Sequence, residues 1–156
     1  MAIYRYSETF RSMLYRYKGC GDIELSDCFL ERVRLLIRLR YWGYVIVFAP
    51  SYLTHIQKRG FDHVPTMLAK LGNPILDIFE KTDDVKQSSQ SKNRRKKIGK
   101  YLAIKGNPVL KGKKVLFVDD VYTTGSTTKA CLRLMRKLRP RKVSVLVLSK
   151  VASHGT

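Results

Sequence analysis

The fold of this chain is decided by the stretch VLFVDDVYTTGSTT, residues 115–128. Its apolar start is typical of a buried strand, and after a hydroxyl-rich loop the apolar residues recur at helical spacing over residues 126–138. Residues 143–148 then form a second apolar strand. Strand, loop, helix and strand make a βαβ unit with parallel strands and a right-handed crossover. The sequence therefore predicts an α/β fold with a central, mostly parallel sheet flanked by helices.

Two carboxylates, Asp119 and Asp120, follow the first strand, at the edge where ligands bind in open parallel sheets. Adjacent carboxylates accept hydrogen bonds from the vicinal hydroxyls of a ribose. The next residues supply hydroxyls and a glycine, and the helix that begins there directs free N–H groups to the same place. This predicted anion cradle consists of Thr123, Thr124, Gly125, Ser126 and Thr127. Residues 119–127 therefore predict a ribose 5-phosphate site.

The spacing of residues in this sequence does not match two other phosphate-binding motifs. A Walker loop requires G-x-x-x-x-G-K-[ST], but Gly106 and Gly112 are one residue too far apart and Lys114 occupies the Ser/Thr position. A phosphatase with an aspartate nucleophile requires two acids separated by one residue, and here they are adjacent. A turn that only caps a strand and a helix does not require two acids and four hydroxyls.

Charge is the unusual property of the composition. Lys and Arg total 31 against 12 Asp and Glu, which gives a net charge of +19. Such a field attracts polyanions, and nucleic acid is the first candidate. A membrane surface, an acidic protein, or a solvated basic surface without a dedicated partner are the alternatives. The length of 156 residues and the 44% hydrophobic content predict one compact domain over residues 1–156.

The three cysteines, Cys20, Cys28 and Cys131, form no C-x-x-C pair. They indicate neither a disulfide framework nor a zinc site, as expected in a reducing cytoplasm. No apolar run approaches the roughly 20 residues that span a bilayer, and residues 1–12 lack the apolar middle of a signal peptide. We therefore expect a cytoplasmic protein without membrane insertion.

Hydrophobic spacing predicts further elements before this unit. We expect helices over residues 7–17, 23–39 and 61–71, and strands over 44–49 and 74–79. The second helix has Asp22 as its predicted N-cap. Its predicted core face consists of Leu25, Phe29, Val33, Leu36 and Ile37. Residues 51–60 are interpreted as a polar loop, in which His55 is a loop histidine, as is His63 just beyond it.

Residues 80–100 are poor in apolar side chains and rich in basic ones, so we predict an exposed, mobile excursion. The predicted nucleic-acid contacts within it are Lys92, Arg94, Arg95, Lys96 and Lys97.

Three motifs resemble one family. Residues 115–128 look like the phosphoribosyl pyrophosphate motif of type I phosphoribosyltransferases. The stretch YKGCGDIELSDCFL at 17–30 resembles the "KY-x-GD" helix entry of the ComF competence proteins, and APSYLTHIQKRGFD at 49–62 resembles their "VP…RGFNQ" segment. The order and spacing match over nearly the whole chain, although Asp62 and His63 stand where relatives have Asn-Gln.

The resemblance implies the type I fold, with a flexible hood at about residues 80–105. It implies that Asp119 and Asp120 hold the ribose hydroxyls, that 123–127 hold the 5-phosphate, and that Arg59 and Gly60 bind pyrophosphate. The implied catalytic residues are Asp119, Asp120 and Arg59. Mg²⁺ would enter with phosphoribosyl pyrophosphate, and the four-cysteine zinc module of longer relatives is absent, so no zinc is expected.

Three functions are compatible with this sequence. The first is a ComF-like protein that acts on or beside incoming single-stranded DNA. The aromatic residues that could stack on bases are Tyr15, Tyr17, Tyr41, Trp42 and Tyr101. The second is a salvage enzyme that joins phosphoribosyl pyrophosphate to a small base. The third is a non-catalytic adaptor that binds a DNA-uptake helicase.

Overall fold

The computed structural model describes residues 1–81 and 102–151. Its main sheet has five parallel strands in the order β1-β7-β6-β2-β3. These strands are β1 Ala2–Arg5, β2 Tyr44–Phe48, β3 Ile75–Leu76, β6 Lys114–Tyr122 and β7 Lys142–Lys150. A separate antiparallel pair consists of β4 Phe79–Lys81 and β5 Leu102–Ile104. The predicted α/β fold with a mostly parallel central sheet is confirmed.

Five α-helices accompany the strands in the described part of the chain: α1 Glu8–Gly19, α2 Arg34–Arg40, α3 Leu53–Arg59, α4 His63–Leu68 and α5 Ser126–Lys137. Short 3-10 helices occur at Ile23–Ser26, Glu31–Val33 and Ala69–Leu71. Helix α1 begins where the Ser7 hydroxyl accepts a hydrogen bond from the Phe10 amide at 3.2 Å. It buries Phe10, Leu14 and Tyr17, which form one stripe at helical spacing.

Strand β6 is buried on both faces, as expected for the middle of a parallel sheet. Leu116 and Val118 contact one core cluster, which also receives side chains from α1, α2 and α4. Val115 and Phe117 contact the other cluster, together with the apolar face of α5. Because successive side chains of a strand point to opposite faces, this one apolar run supports both helical layers.

The sheet order places a crevice beside β6. The chain runs from β2 outward to β3 and then returns to the other side of β2 to form β6. The carboxyl ends of β2 and β6 therefore meet at a topological switch point, the usual ligand-binding position of open α/β sheets. The Ala49 amide donates to the Val118 carbonyl at 2.9 Å, which holds the segment after β2 beside Asp119.

The helix predicted over residues 23–39 is confirmed only from Arg34, where α2 begins, and is wrong for residues 23–33. Residues 23–33 instead form tight turns with hydrogen bonds between residues three apart, such as Val33 N–H to Leu30 O at 3.0 Å. Leu36, predicted to be in the core, is 66% exposed. Asp22 caps no helix with its side chain and pairs with Arg16 at 3.2 Å. Turns that are tighter than an α-helix bury Phe29 without continuing the 3.6-residue period.

Three other predicted boundaries need correction. The polar loop predicted at 51–60 contains helix α3, which ends at Gly60 in the left-handed conformation with φ 82°. The strand predicted at 74–79 is divided between β3 and β4. Strand β6 continues beyond Val118, because its pairing with β7 extends to Tyr122 opposite Lys150. Asp119 and Asp120 therefore lie within the strand and not after it.

The hood expected at about residues 80–105 is framed by β4 and β5, whose outermost pair is Lys81 and Leu102. Phe79 and Leu102 are buried in the core cluster that contacts α5, which anchors the base of this pair. The predicted nucleic-acid contacts at 92–97 lie outside the described residues. None of the helices in residues 1–81 and 102–151 has the length and apolar character needed to cross a membrane.

Candidate active site

A cleft of about 670 Å³ opens at the carboxyl ends of β2 and β6. Helix α1 forms one wall, and helix α3 with the segment after β2 forms another. Among the described residues its carboxylates are Asp119 and Asp120. Its cations are Arg11, Lys18, Lys58, Arg59 and Lys81. The cleft therefore combines an acidic pair with a set of cationic side chains.

Asp119 is held by its own strand and by helix α5. Its Oδ1 accepts a hydrogen bond from the Asp120 amide at 2.9 Å, and its Oδ2 accepts one from the Thr128 hydroxyl at 3.3 Å. Burial raises the pKa of Asp119 to about 6, although the charge of Lys18 and the Thr128 hydrogen bond act in the opposite direction. A desolvated carboxylate of this kind gains strongly from a ligand that donates hydrogen bonds to it.

Asp120 contacts three donors. Its Oδ1 accepts a hydrogen bond from the Val121 amide. Its Oδ2 lies 2.9 Å from His63 Nε2 and also forms an ion pair with Lys18 Nζ. The contact with His63 requires a proton on Nε2, because an ionised carboxylate can only accept.

His63 is buried in the first turn of α4, which corrects its interpretation as a loop histidine. Burial is the main cause that lowers the pKa of His63 to about 4; the hydrogen bond with Asp62 acts in the opposite direction, and the charges of Lys18 and Arg59 lower the pKa further. The imidazole is therefore neutral near pH 7, with its Nδ1 at 3.4 Å from the Ser51 hydroxyl. One feature of the sequence indicated that His63 belongs to the site: the pair Asp62-His63 stands where the family that the sequence resembles has Asn-Gln.

Lys18 was not predicted as a site residue. It follows the buried Tyr17 near the end of α1. Its side chain lines the same cleft as Asp120, which is distant from it in sequence. Burial lowers the pKa of Lys18 to about 8, and the charges of Arg59 and Lys81 lower it further. The sequence feature that could have indicated Lys18 as a site residue is its position in the stretch YKGCGD.

The predicted anion cradle forms the turn between β6 and α5. Gly125 precedes α5 with φ 69°, a left-handed conformation that favours glycine. The hydroxyls of Thr124 and Ser126 lie 2.8 Å apart, and Thr127 lines the cleft. Thr123 is exposed, and neither it nor Thr124, Gly125 or Ser126 is part of the cleft lining. Of the predicted cradle, Thr127 therefore reaches the cleft that contains the acidic pair.

The two predicted pyrophosphate residues have different positions. Arg59 lines the cleft, and its Nε donates to the His55 carbonyl at 3.0 Å, one turn earlier in α3. Gly60 ends that helix and is not part of the cleft lining. His55 lines the cleft as an exposed side chain of α3.

Comparison with known proteins gives the family. Residues 52–154 match the sequence family described as phosphoribosyl transferase domain. The chain belongs to the phosphoribosyltransferase family. It is 30% identical to the competence protein ComFC of Streptococcus pneumoniae over 94% of this chain and 66% of that protein. For ComFC of Bacillus subtilis the identity is 26%, over 94% of this chain and 62% of the relative. The chain is a ComFC-like member of this family and spans slightly less than two thirds of these relatives.

Solved phosphoribosyltransferases share the fold. A hypoxanthine phosphoribosyltransferase from Staphylococcus aureus superimposes with a TM-score of 0.51 at 13% identity, over 85% of this chain and 77% of that one. The adenine phosphoribosyltransferase of Saccharomyces cerevisiae gives 0.53 at 17% identity, over 82% and 69%. The expected type I phosphoribosyltransferase fold is thereby confirmed.

Phosphoribosyltransferases generally use Mg²⁺ that arrives with their phosphoribosyl donor. Residues 1–81 and 102–151 contain no cluster of three or more His, Cys, Asp or Glu side chains that would hold a metal by itself. Mg²⁺ is often held by one or two carboxylates together with substrate phosphates and water. Asp119 and Asp120 fit that donor set, since Asp120 already pairs with a cation.

Proposed function

We propose that this ComFC-like protein binds phosphoribosyl pyrophosphate, or a ribose 5-phosphate group, in the cleft. The observation that carries the proposal is the acidic pair Asp119 and Asp120 in a cleft that is also lined by several Lys and Arg side chains. A ligand with a diol in the middle and phosphates at both ends matches this distribution of charge. The carboxylates accept the ribose hydroxyls, and the turn at residues 123–127 holds the 5-phosphate at the start of α5.

The diphosphate occupies the cationic side of the cleft in this proposal. Arg59 contributes a planar guanidinium that bonds two phosphate oxygens at once, and Gly60 holds the end of its helix. Asp119 and Asp120 would hold Mg²⁺ together with the ligand's oxygens, and the ion would neutralise phosphate charge. The chemistry that this arrangement supports is transfer at the anomeric carbon, where the bond to diphosphate breaks and a bond to a nucleophilic atom of an acceptor forms. Positioning and charge stabilisation supply most of the acceleration in such a step.

Thermal denaturation tests the ligand. Phosphoribosyl pyrophosphate with Mg²⁺ should raise the melting temperature, because a ligand that binds only the native state stabilises it. The double variant Asp119→Ala, Asp120→Ala should lose the shift. A matched control is Asp27→Ala, Asp77→Ala, which also removes two acids but takes them from exposed ion pairs with Lys70 and Lys105. Equal shifts in both double variants and the wild type would refute the site.

We further propose a role in competence, with single-stranded DNA as partner. The support is the net charge of +19 and the similarity to two proteins named competence protein ComFC. Tyr15 and Trp42 are 70% and 77% exposed and remain available for base stacking. Tyr17 and Tyr41 are buried in the core, so we withdraw them as stacking residues, and Tyr101 lies outside the described residues. A cytoplasmic location is part of this proposal.

A further inference from the structure

The free protein uses Asp120 in a way that interferes with the proposed ribose site. A carboxylate offers about four acceptor positions, two on each oxygen. Both positions of Asp120 Oδ2 are taken, one by the Lys18 ammonium and one by His63 Nε2. On Oδ1 the Val121 amide takes one position, and no other residue of 1–81 or 102–151 takes the second. A ribose hydroxyl that is to bond Oδ2 must displace one of its two present donors.

Lys18 is the donor that can leave. His63 is a buried ring in helix α4, and its backbone carbonyl accepts the Tyr17 hydroxyl at 2.7 Å. Lys18 carries its ammonium on a flexible four-carbon stem at the edge of the cleft, with 30% of its side chain exposed. Rotation of that stem moves the charge without moving a helix.

The cleft also offers the ammonium a second anionic position once a diphosphate is bound. Lys18, Arg59 and Lys81 line the same cleft, so the three cations face a common space. Without a ligand their mutual repulsion favours the pairing of Lys18 with Asp120. A diphosphate among them replaces that repulsion by attraction and gives Lys18 a partner other than the carboxylate.

We propose that Lys18 is exchanged between two anions: it occupies Asp120 in the free protein and moves to the diphosphate of the ligand, which frees Asp120 for the ribose. This inference rests on the proposed function of the cleft. Its consequence is selectivity. A ligand with ribose and diphosphate compensates the ion pair that it breaks, whereas ribose 5-phosphate alone gains a bond to Oδ2 only by displacing Lys18 without compensation.

Calorimetric titration with ribose 5-phosphate, pyrophosphate and phosphoribosyl pyrophosphate, each with Mg²⁺, tests the exchange. In Lys18→Met the affinity for the two diphosphate ligands should fall by about tenfold or more. The affinity for ribose 5-phosphate should stay the same or rise, because the competing ammonium is gone. Lys70→Met is the matched control, since it removes an exposed lysine that pairs with Asp27 away from the cleft. The control should match the wild type for all three ligands.

Two results would overturn the exchange. One is a parallel loss of affinity for ribose 5-phosphate and phosphoribosyl pyrophosphate in Lys18→Met, because Lys18 would then only support the ribose site. The other is an unchanged affinity for pyrophosphate. If wild-type protein binds no ribose ligand, the proposed function itself fails, and this is visible before any variant is measured. Lys18→Gln is titrated in the same way if the methionine variant does not fold.

Discussion

His63 Nε2 donates a hydrogen bond to Asp120 Oδ2 across 2.9 Å, and this bond connects helix α4 to the end of strand β6. The imidazole is itself held in place, because its ring packs against Tyr17 and its Nδ1 lies beside Ser51. The hydrogen bond fixes the orientation of a carboxylate that we assign to the ribose. His63 is therefore a positioning residue for Asp120.

Loss of this hydrogen bond should weaken ribose binding. In His63→Leu we expect the affinity for phosphoribosyl pyrophosphate to fall by about tenfold, since removing a partner from a buried acceptor costs about 1–3 kcal/mol. In His63→Gln the side-chain amide can still donate to Asp120 and should restore much of the affinity. Calorimetry measures both, and a leucine variant that binds like the wild type would contradict the positioning role.

The affinity for phosphoribosyl pyrophosphate should pass through a maximum between about pH 6 and pH 8. Burial raises the pKa of Asp119 to about 6, so the carboxylate that accepts the ribose hydroxyl is lost as the pH falls through that value. Burial lowers the pKa of Lys18 to about 8, so its charge is lost as the pH rises through that value. As the pH increases, affinity should therefore rise through the pKa of Asp119 and fall through the pKa of Lys18.

The pH profile has an acidic limb below its maximum and an alkaline limb above it. Variants distinguish these limbs from the effect of the ligand's own phosphate titration. Asp119→Asn should flatten the acidic limb, and Lys18→Met should flatten the alkaline limb. For ribose 5-phosphate the alkaline loss should be missing even in the wild type, because a neutral Lys18 no longer competes for Asp120. An alkaline loss of equal size for both ligands would contradict the assignment to Lys18.

The sequence predicted the parts of the site that are contiguous in the chain. Residues 115–128 contain strand, acids, turn and helix start, and local patterning determines each of them. Lys18 and His63 reach Asp120 from helices that are distant in sequence, and no local period encodes such contacts. The helix predicted over residues 23–39 was misassigned for a local reason. Phe29 fits the helical spacing of apolar residues, but tight turns bury it instead of an α-helix.

Gly125→Ala should disrupt the turn that we assign to the 5-phosphate. A Cβ there would lie 2.2 Å from the Tyr122 hydroxyl oxygen and 2.3 Å from a ring carbon, so the ring would have to move. Gly112→Ala is the matched control, because its φ of 74° is also left-handed but no atom of the described residues lies within 4 Å of the added carbon. The control should lose about 1–2 kcal/mol of stability from backbone strain alone.

Denaturant unfolding and ligand titration measure this pair together. We expect Gly125→Ala to lose more stability than Gly112→Ala and to bind ribose 5-phosphate more weakly than the wild type. The control should retain wild-type affinity. Equal effects of the two substitutions on stability and on affinity would show that the contact with Tyr122 is not important for the turn.

Single-stranded DNA should bind with micromolar-scale affinity and little sequence preference, through contacts of basic side chains with phosphates. Each such contact lowers the slope of log affinity against log salt by about 0.7. If all five predicted contacts form, their contribution to the slope is about −3.5. The predicted contacts, which lie outside the described residues, are Lys92, Arg94, Arg95, Lys96 and Lys97. Fluorescence anisotropy with a labelled oligonucleotide, titrated at several salt concentrations, gives the slope directly.

A second variant distinguishes the effect of the protein's net charge from that of direct contacts between residues 92–97 and DNA. Replacing those five basic residues by Gln should make the slope shallower by about 3.5. The control replaces an equal number of exposed basic residues on and after α5: Lys129, Arg133, Arg136, Lys137 and Arg141. Both variants have the same net charge, so a long-range field would change their binding equally, whereas local contacts would change only the first. Equal slopes for the two variants would show that residues 92–97 are not the DNA contact, and a flat salt dependence in the wild type would contradict the phosphate mechanism.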